Sequence, residues 1–159
     1  MRSIVFTAAL IGSILFSFVE GLSAEDQKPA CALLTQTQIG SAIRATVDPG
    51  SPIGRPTACQ WAGQGKRVTL TINQTLGGKS PLAQFNDGKA RTLPGVTVEP
   101  VSGVADDAYY VFFTGSVRAG CGIVVKKGTG VFEIRVYGFD LDQAKGVAKT
   151  LAQNAASKF

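Results

Sequence analysis

The chain reads as a single compact α+β domain: an antiparallel sheet of about five to six strands with N-terminal and C-terminal helices packed on it. Three observations lead there. Strictly alternating segments such as Val68-Thr69-Leu70-Thr71-Ile72 and Phe132-Glu133-Ile134-Arg135-Val136 mark half-buried strands. Turn-rich stretches of two to four residues separate several of them, and short connections join antiparallel neighbours. Apolar residues at helical spacing bracket the strands at both ends, so the helices have a sheet face to cover.

The first helix is expected over residues 33–47. Thr35 followed by Gln38 fits a capping box, and Ile39, Ala42 and Ile43 make one apolar face. Residues 48–57, rich in proline and glycine, are expected to be a loose connection. Cys59-Gln60-Trp61 and residues 68–72 then form a hairpin around Ala62-Gly63-Gln64-Gly65, with Val68, Leu70 and Ile72 on one face. Ser80-Pro81 opens a second helix, serine as cap and proline at the first helical position, with Leu82 and Phe85 on its apolar face. Residues 96–101 make an edge strand limited by Pro100. Residues 107–114, containing Tyr109-Tyr110-Val111-Phe112-Phe113, are aromatic on both faces and so partly buried on both sides. Strands over 119–127 and 130–138 follow, joined at Lys127-Gly128-Thr129-Gly130. Asp140 with Gln143 caps a last helix whose Leu141, Ala144, Val147, Ala148, Leu151 and Ala155 share a face. The sequence predicts that the helices lie together on one face of the sheet.

Residues 1–24 read as a secretory signal peptide: Arg2, an apolar run over 4–19, and the small-residue site Gly21-Leu22-Ser23-Ala24 before Glu25. The apolar run is shorter than the roughly 20 residues that span a bilayer. Residues 25–159 are therefore expected as one exported domain, periplasmic or secreted, not membrane-spanning after cleavage. The signal segment holds one Arg and one Glu, so the formal net charge of +5 belongs wholly to the exported part. No basic block or nucleic-acid motif accompanies it, which argues against nucleic-acid binding.

Export changes how the three cysteines are read. An odd number suggests one disulfide and one leftover thiol. Cys31 with Cys59 is the preferred pair, since that loop encloses the Pro/Gly-rich stretch most in need of a tether; the other pairings stay open. Cys121 shares parity with Ile123 and Val125, as a buried small hydrophobe and free thiol would. The chain has no histidine, so it lacks a Cys-His pair. The cysteines do not have zinc-site spacing, and no metal or cofactor is expected.

Three segments carry a resemblance. Cys31-Ala32-Leu33-Leu34-Thr35-Gln36-Thr37-Gln38-Ile39-Gly40, Cys59-Gln60-Trp61, and Pro100-Val101-Ser102-Gly103-Val104-Ala105-Asp106-Asp107-Ala108-Tyr109-Tyr110 resemble small exported bacterial proteins of unknown function. Those proteins have a cysteine before a threonine-started helix, a Cys-x-Trp strand and a Gly-x-Gly-Asp-x-Ala-Tyr-like turn. The resemblance implies a Cys31–Cys59 disulfide and a fold similar to the PsbP-like α+β sandwich. It carries over no catalytic residue. Two positions depart from the pattern: Ala105 stands at the second glycine of the turn, and Cys121 is an additional cysteine.

For function the leading expectation is a non-catalytic binding or accessory module that meets an envelope component or another exported protein. Trp61, Asp106, Asp107, Tyr109 and Tyr110 are the candidate binding residues; the aspartates and tyrosines would line a polar-aromatic groove. The alternatives are a surface-interaction protein using its positive charge, and a hydrolase-type site around Asp106, Asp107 and Tyr109. Adjacent aspartates in an extended segment point to opposite faces, so Asp106 and Asp107 would need a turn to act as a pair.

Overall fold

Thr35 does what its spacing from Gln38 predicts. Its hydroxyl accepts the Gln38 N–H at 3.2 Å and its own N–H donates to Gln38 Oε1 at 2.9 Å, closing a capping box. In a computed structural model that describes residues 29–113 and 120–159, this box divides the expected first helix. A single turn, α1 (Ala30–Leu33), precedes it, and α2 (Gln36–Ile43) follows it. Leu34 between them is extended, and Arg44 ends α2 in the left-handed region at φ 52°. Residues 44–47 are therefore outside the helix. The expected signal peptide, 1–24, lies outside the described residues, as do 114–119.

Seven strands follow, one or two more than expected. The addition comes from the stretch expected to be loose: β1 (Ser51–Ile53) pairs with β2 (Arg55–Gly63), turning at Gly54 with φ 70°. Pro52 is tolerated because β1 is an edge strand. β2 and β3 (Lys66–Ile72) form the expected hairpin on a two-residue turn, Gln64-Gly65, with φ 52° and 73°. Two positive-φ residues match the twist of the flanking strands. α3 (Pro81–Lys89) starts at Ser80, whose hydroxyl accepts the Ala83 N–H. The rest is β4 (Val96–Val101), β5 (Asp107–Phe113), β6 (Cys121–Lys127), β7 (Gly130–Tyr137) and α4 (Leu141–Ala156), capped by Asp140 on the Gln143 N–H.

All neighbouring strands are antiparallel, in the order β1-β2-β3-β7-β6-β5-β4. The main core fills the inner face. Trp61, Leu70, Ile123, Phe132 and Ile134 lie buried there beneath Leu33, Ile39 and Ile43 of α1 and α2 and Leu151 of α4. α4 comes close because its buried residues are, apart from Leu151, alanines. The Cys31–Cys59 disulfide ties α1 to β2, with Cα atoms 5.1 Å apart. Cys121 is unpaired and buried on the same face.

One helix departs from the expected single layer. α3 packs on the opposite, outer face, where Phe85 and Leu82 join Tyr109, Val124 and Val131 in a second cluster. The cause is in the strands. At their α3 end, β5, β6 and β7 are apolar at both parities, so an uncovered outer face would leave Tyr109, Val124 and Val131 in water.

Candidate functional site

The outer face is only partly covered, and the register shows what it presents. Across the sheet, Thr69 lies opposite Arg135, Arg135 opposite Gly122, Gly122 opposite Val111, and Val111 opposite Val98. One row nearer α3 runs Thr71, Glu133, Val124 and Tyr109. Between α3, the segment leaving it and strands β4 to β7 there is a groove of ≈ 520 Å³. That is within the size range of small-molecule sites, about 300–1,000 Å³.

Its floor is set by a glycine. A Cβ at Gly122 would stand 2.8 Å from Glu133 Oε1 and 3.0 Å from Val111 Cγ1. Without it, the Glu133 and Arg135 side chains lie across β6. Arg135 donates from Nε at 3.1 Å and from Nη2 at 2.5 Å to Glu133 Oε1. Burial works against the guanidinium charge, but the charge and hydrogen bonding of Glu133, joined by Tyr137 and Cys121, outweigh it together, and Arg135 is held above its ordinary pKa.

Tyr109 forms the groove's inner end. Its ring packs on Phe85 with centroids 5.1 Å apart, and only 4% of the residue is exposed. The hydroxyl reaches the groove beside Gly88, where a Cβ would stand 2.2 Å from the oxygen. It has no hydrogen-bond partner among the described residues. Burial, reinforced by the Glu133 charge and opposed by Arg91, pushes its pKa up to about 12, so the hydroxyl stays a donor. Arg91, just beyond α3, lines the groove and has no ion-pair partner among the described residues. Lys79, also at the rim, is paired with Asp87 at 2.5 Å.

The residues singled out from sequence do not gather in one place. Trp61 is 1% exposed in the inner core. Tyr110 faces the inner layer, and its hydroxyl donates to the Lys145 carbonyl of α4 at 3.0 Å. Asp107 is paired with Lys89 at 2.6 Å. Asp106, before β5, accepts the Gly128 N–H of the β6–β7 turn at 2.6 Å. It lies on the rim of a separate, larger cleft of ≈ 980 Å³ between the end of β3, the start of α3, that turn and Phe159. Tyr109 alone of the five belongs to the outer groove. Arg91, Glu133 and Arg135 were not anticipated. The outward parity of Glu133 and Arg135 on β7 was the available signal, but it needed the knowledge that a helix walls that face.

Cys121 is 1% exposed, and burial pushes its thiol up to about 11, with Lys145 and Arg135 only partly opposing. The thiolate that metal binding or nucleophilic attack needs is thereby disfavoured. Among the described residues no three His, Cys, Asp or Glu side chains cluster as metal ligands, and no helix is long and apolar enough to cross a membrane. No protein-family model matches the chain, and neither the curated proteins nor the solved structures compared with it give a match.

Proposed function

We propose that this is an exported, non-catalytic binding module whose ligand or partner contacts the outer groove. One observation carries the reading. Of the five exposed large hydrophobic residues among those described, Leu76, Leu93 and Phe113 line this groove, and the other two lie elsewhere. Exposed apolar side chains scattered singly need no explanation, but their concentration on the rim of one groove marks a contact surface. The engagement of Asp106 with a turn and of Asp107 with Lys89 supports binding over catalysis. A disulfide and the absence of a membrane-crossing helix among the described residues are consistent with a periplasmic or secreted setting.

The test is a fragment screen by protein-observed NMR with a chemically diverse library. Amide shifts should concentrate on residues 96–98, 109–113 and 122–124. Shifts clustered instead around Asp106 and the β6–β7 turn, or no reproducible binding anywhere, would overturn the proposal.

A further inference from the structure

Three features of the outer groove converge on one kind of ligand. The first is a charge left over. Two carboxylates line the groove, and each has its own cation: Asp87 holds Lys79, and Glu133 holds Arg135. Arg91 has no ion-pair partner among the described residues. The second is the Tyr109 hydroxyl, carried by a residue 96% buried, open to the groove and without a hydrogen-bond partner among the described residues. The hydroxyl is not sealed from solvent, since Thr57 Oγ1 alone is a buried unpartnered side-chain oxygen or nitrogen among the described residues, and a bound acceptor would replace solvent on it. The Arg91 N–H donates to the Gly88 carbonyl at 3.2 Å, and Gly88 adjoins the Tyr109 hydroxyl, which brings the two donors to the same part of the groove. The third is the apolar track away from them, Val98, Val111 and Phe113 with Val96 beside them.

Resting on the binding-module reading, we infer that the groove takes a medium-chain fatty acid, its carboxylate on Arg91 and the Tyr109 hydroxyl and its chain along Val96, Val98, Val111 and Phe113. An acidic headgroup supplies the charge that Arg91 lacks and an acceptor for the phenol. The choice of a hydrocarbon tail over a peptide carboxyl terminus follows from the floor. That floor is a sheet face whose backbone N–H and C=O groups are spent in the ladders over β5, β6 and β7, only the outer edge of β4 keeping free ones. A peptide lying there would bury its own backbone groups without partners, whereas an alkyl chain has none to satisfy. Nε and Nη2 of Arg135 bind Glu133 and offset its charge in part, although that charge is still felt at the Tyr109 hydroxyl. The phenol, with its pKa near 12, remains a donor across the physiological range.

The experiment titrates the intact folded chain with decanoate below its micellar concentration, followed by protein-observed NMR. Decanol and a short apolar peptide with a free carboxyl terminus serve as comparison arms. Decanoate should shift the amides of Val98, Val111 and Phe113, and decanol should bind at least about tenfold more weakly, the ratio expected for one charge-assisted contact. Arg91→Gln, an exposed change, should weaken decanoate about tenfold or more and leave decanol unchanged. Tyr109→Phe, which keeps the ring against Phe85, should weaken decanoate by a smaller factor. Equal binding of acid and alcohol, an unaffected Arg91→Gln variant, or capture of the peptide in preference to decanoate would each overturn the assignment. Fragments that fill the groove while decanoate does not would refute the ligand class and leave the binding face standing. A groove that binds nothing would remove both.

Discussion

Replacing both Cys31 and Cys59 with alanine removes the tie between α1 and β2, and its effect can be worked out from the structure. The two residues are 28 apart in sequence, and in the chain-entropy model a loop of that size restricts the unfolded chain by about 3.6 kcal/mol at 25 °C. Cys59 is completely buried, so truncating it adds a small packing loss of about 1 kcal/mol. A total of about 4–5 kcal/mol is a large share of the stability of a domain this size, about 5–15 kcal/mol. Urea unfolding followed by far-ultraviolet circular dichroism measures it. The midpoint should fall sharply and the m-value should rise, because the untied denatured chain exposes more surface. The double variant keeps only Cys121, so no disulfide exchange confuses the comparison. A loss below about 1.5 kcal/mol with an unchanged m-value would refute the reasoning, since it would mean that the unfolded chain is not restrained by this link.

Ala105 sits at φ 48°, where a β-carbon is strained, and Ala105→Gly should stabilise the chain by about 1 kcal/mol in the same urea assay; a loss would show that the turn is held another way. Gly63→Ala should cost about 2–3 kcal/mol, because its Cβ would stand 2.1 Å from the Thr46 carbonyl oxygen and 2.9 Å from Val47 Cα, both backbone atoms; a neutral result would mean that the crossing segment moves freely. Stability should also fall in alkali. The folded pKa of Cys121 is raised from 9.0 to about 11 and that of Tyr109 from 10.0 to about 12. The unfolded chain therefore sheds these protons first, and stability present below pH 9 is lost between about pH 9 and 12. Urea midpoints measured across that range should decline, less so for Cys121→Ala; a flat profile would contradict the burial of both groups.

Much of the fold is legible because it is written in short spans. Thr35 with Gln38, Ser80 before Pro81, Asp140 before Gln143 and Gln64-Gly65 between alternating strands each specify a cap or turn within a few residues. The elements that escape are those whose partners are distant or whose own chemistry is unpromising. β1 contains Pro52 and is three residues long, and it is a strand only because β2 lies alongside. α3 has the composition of a helix, but the face it covers is decided by Tyr109, Val124 and Val131 on three different strands. The candidate site is less legible still. Tyr109 was singled out for its neighbours Asp106 and Asp107, whereas the structure sets it beside Arg91 and Gly88, on a helix exit far back in the chain. Such a meeting arises from the crossing of α3 over the sheet, which no local spacing encodes.

The strand order has a consequence for how the molecule comes apart. β1, β2 and β3 are successive neighbours, and so are β4, β5, β6 and β7; the two meanders meet along one seam, where β3 lies against β7. The only covalent passage across that seam among the described residues runs from Ile72 through Leu76-Gly77-Gly78 to α3, and Leu76 is 72% exposed. Each half closes its own hydrogen-bonded ladders from nearby sequence, and the seam is where distant sequence must find its mate. Within the sheet the domain is two consecutive pieces sharing one border, with α4 packed on α1 and α2 above it, and a cut at Gly77-Gly78 would leave two fragments whose exposed β3 and β7 edges are each other's complement.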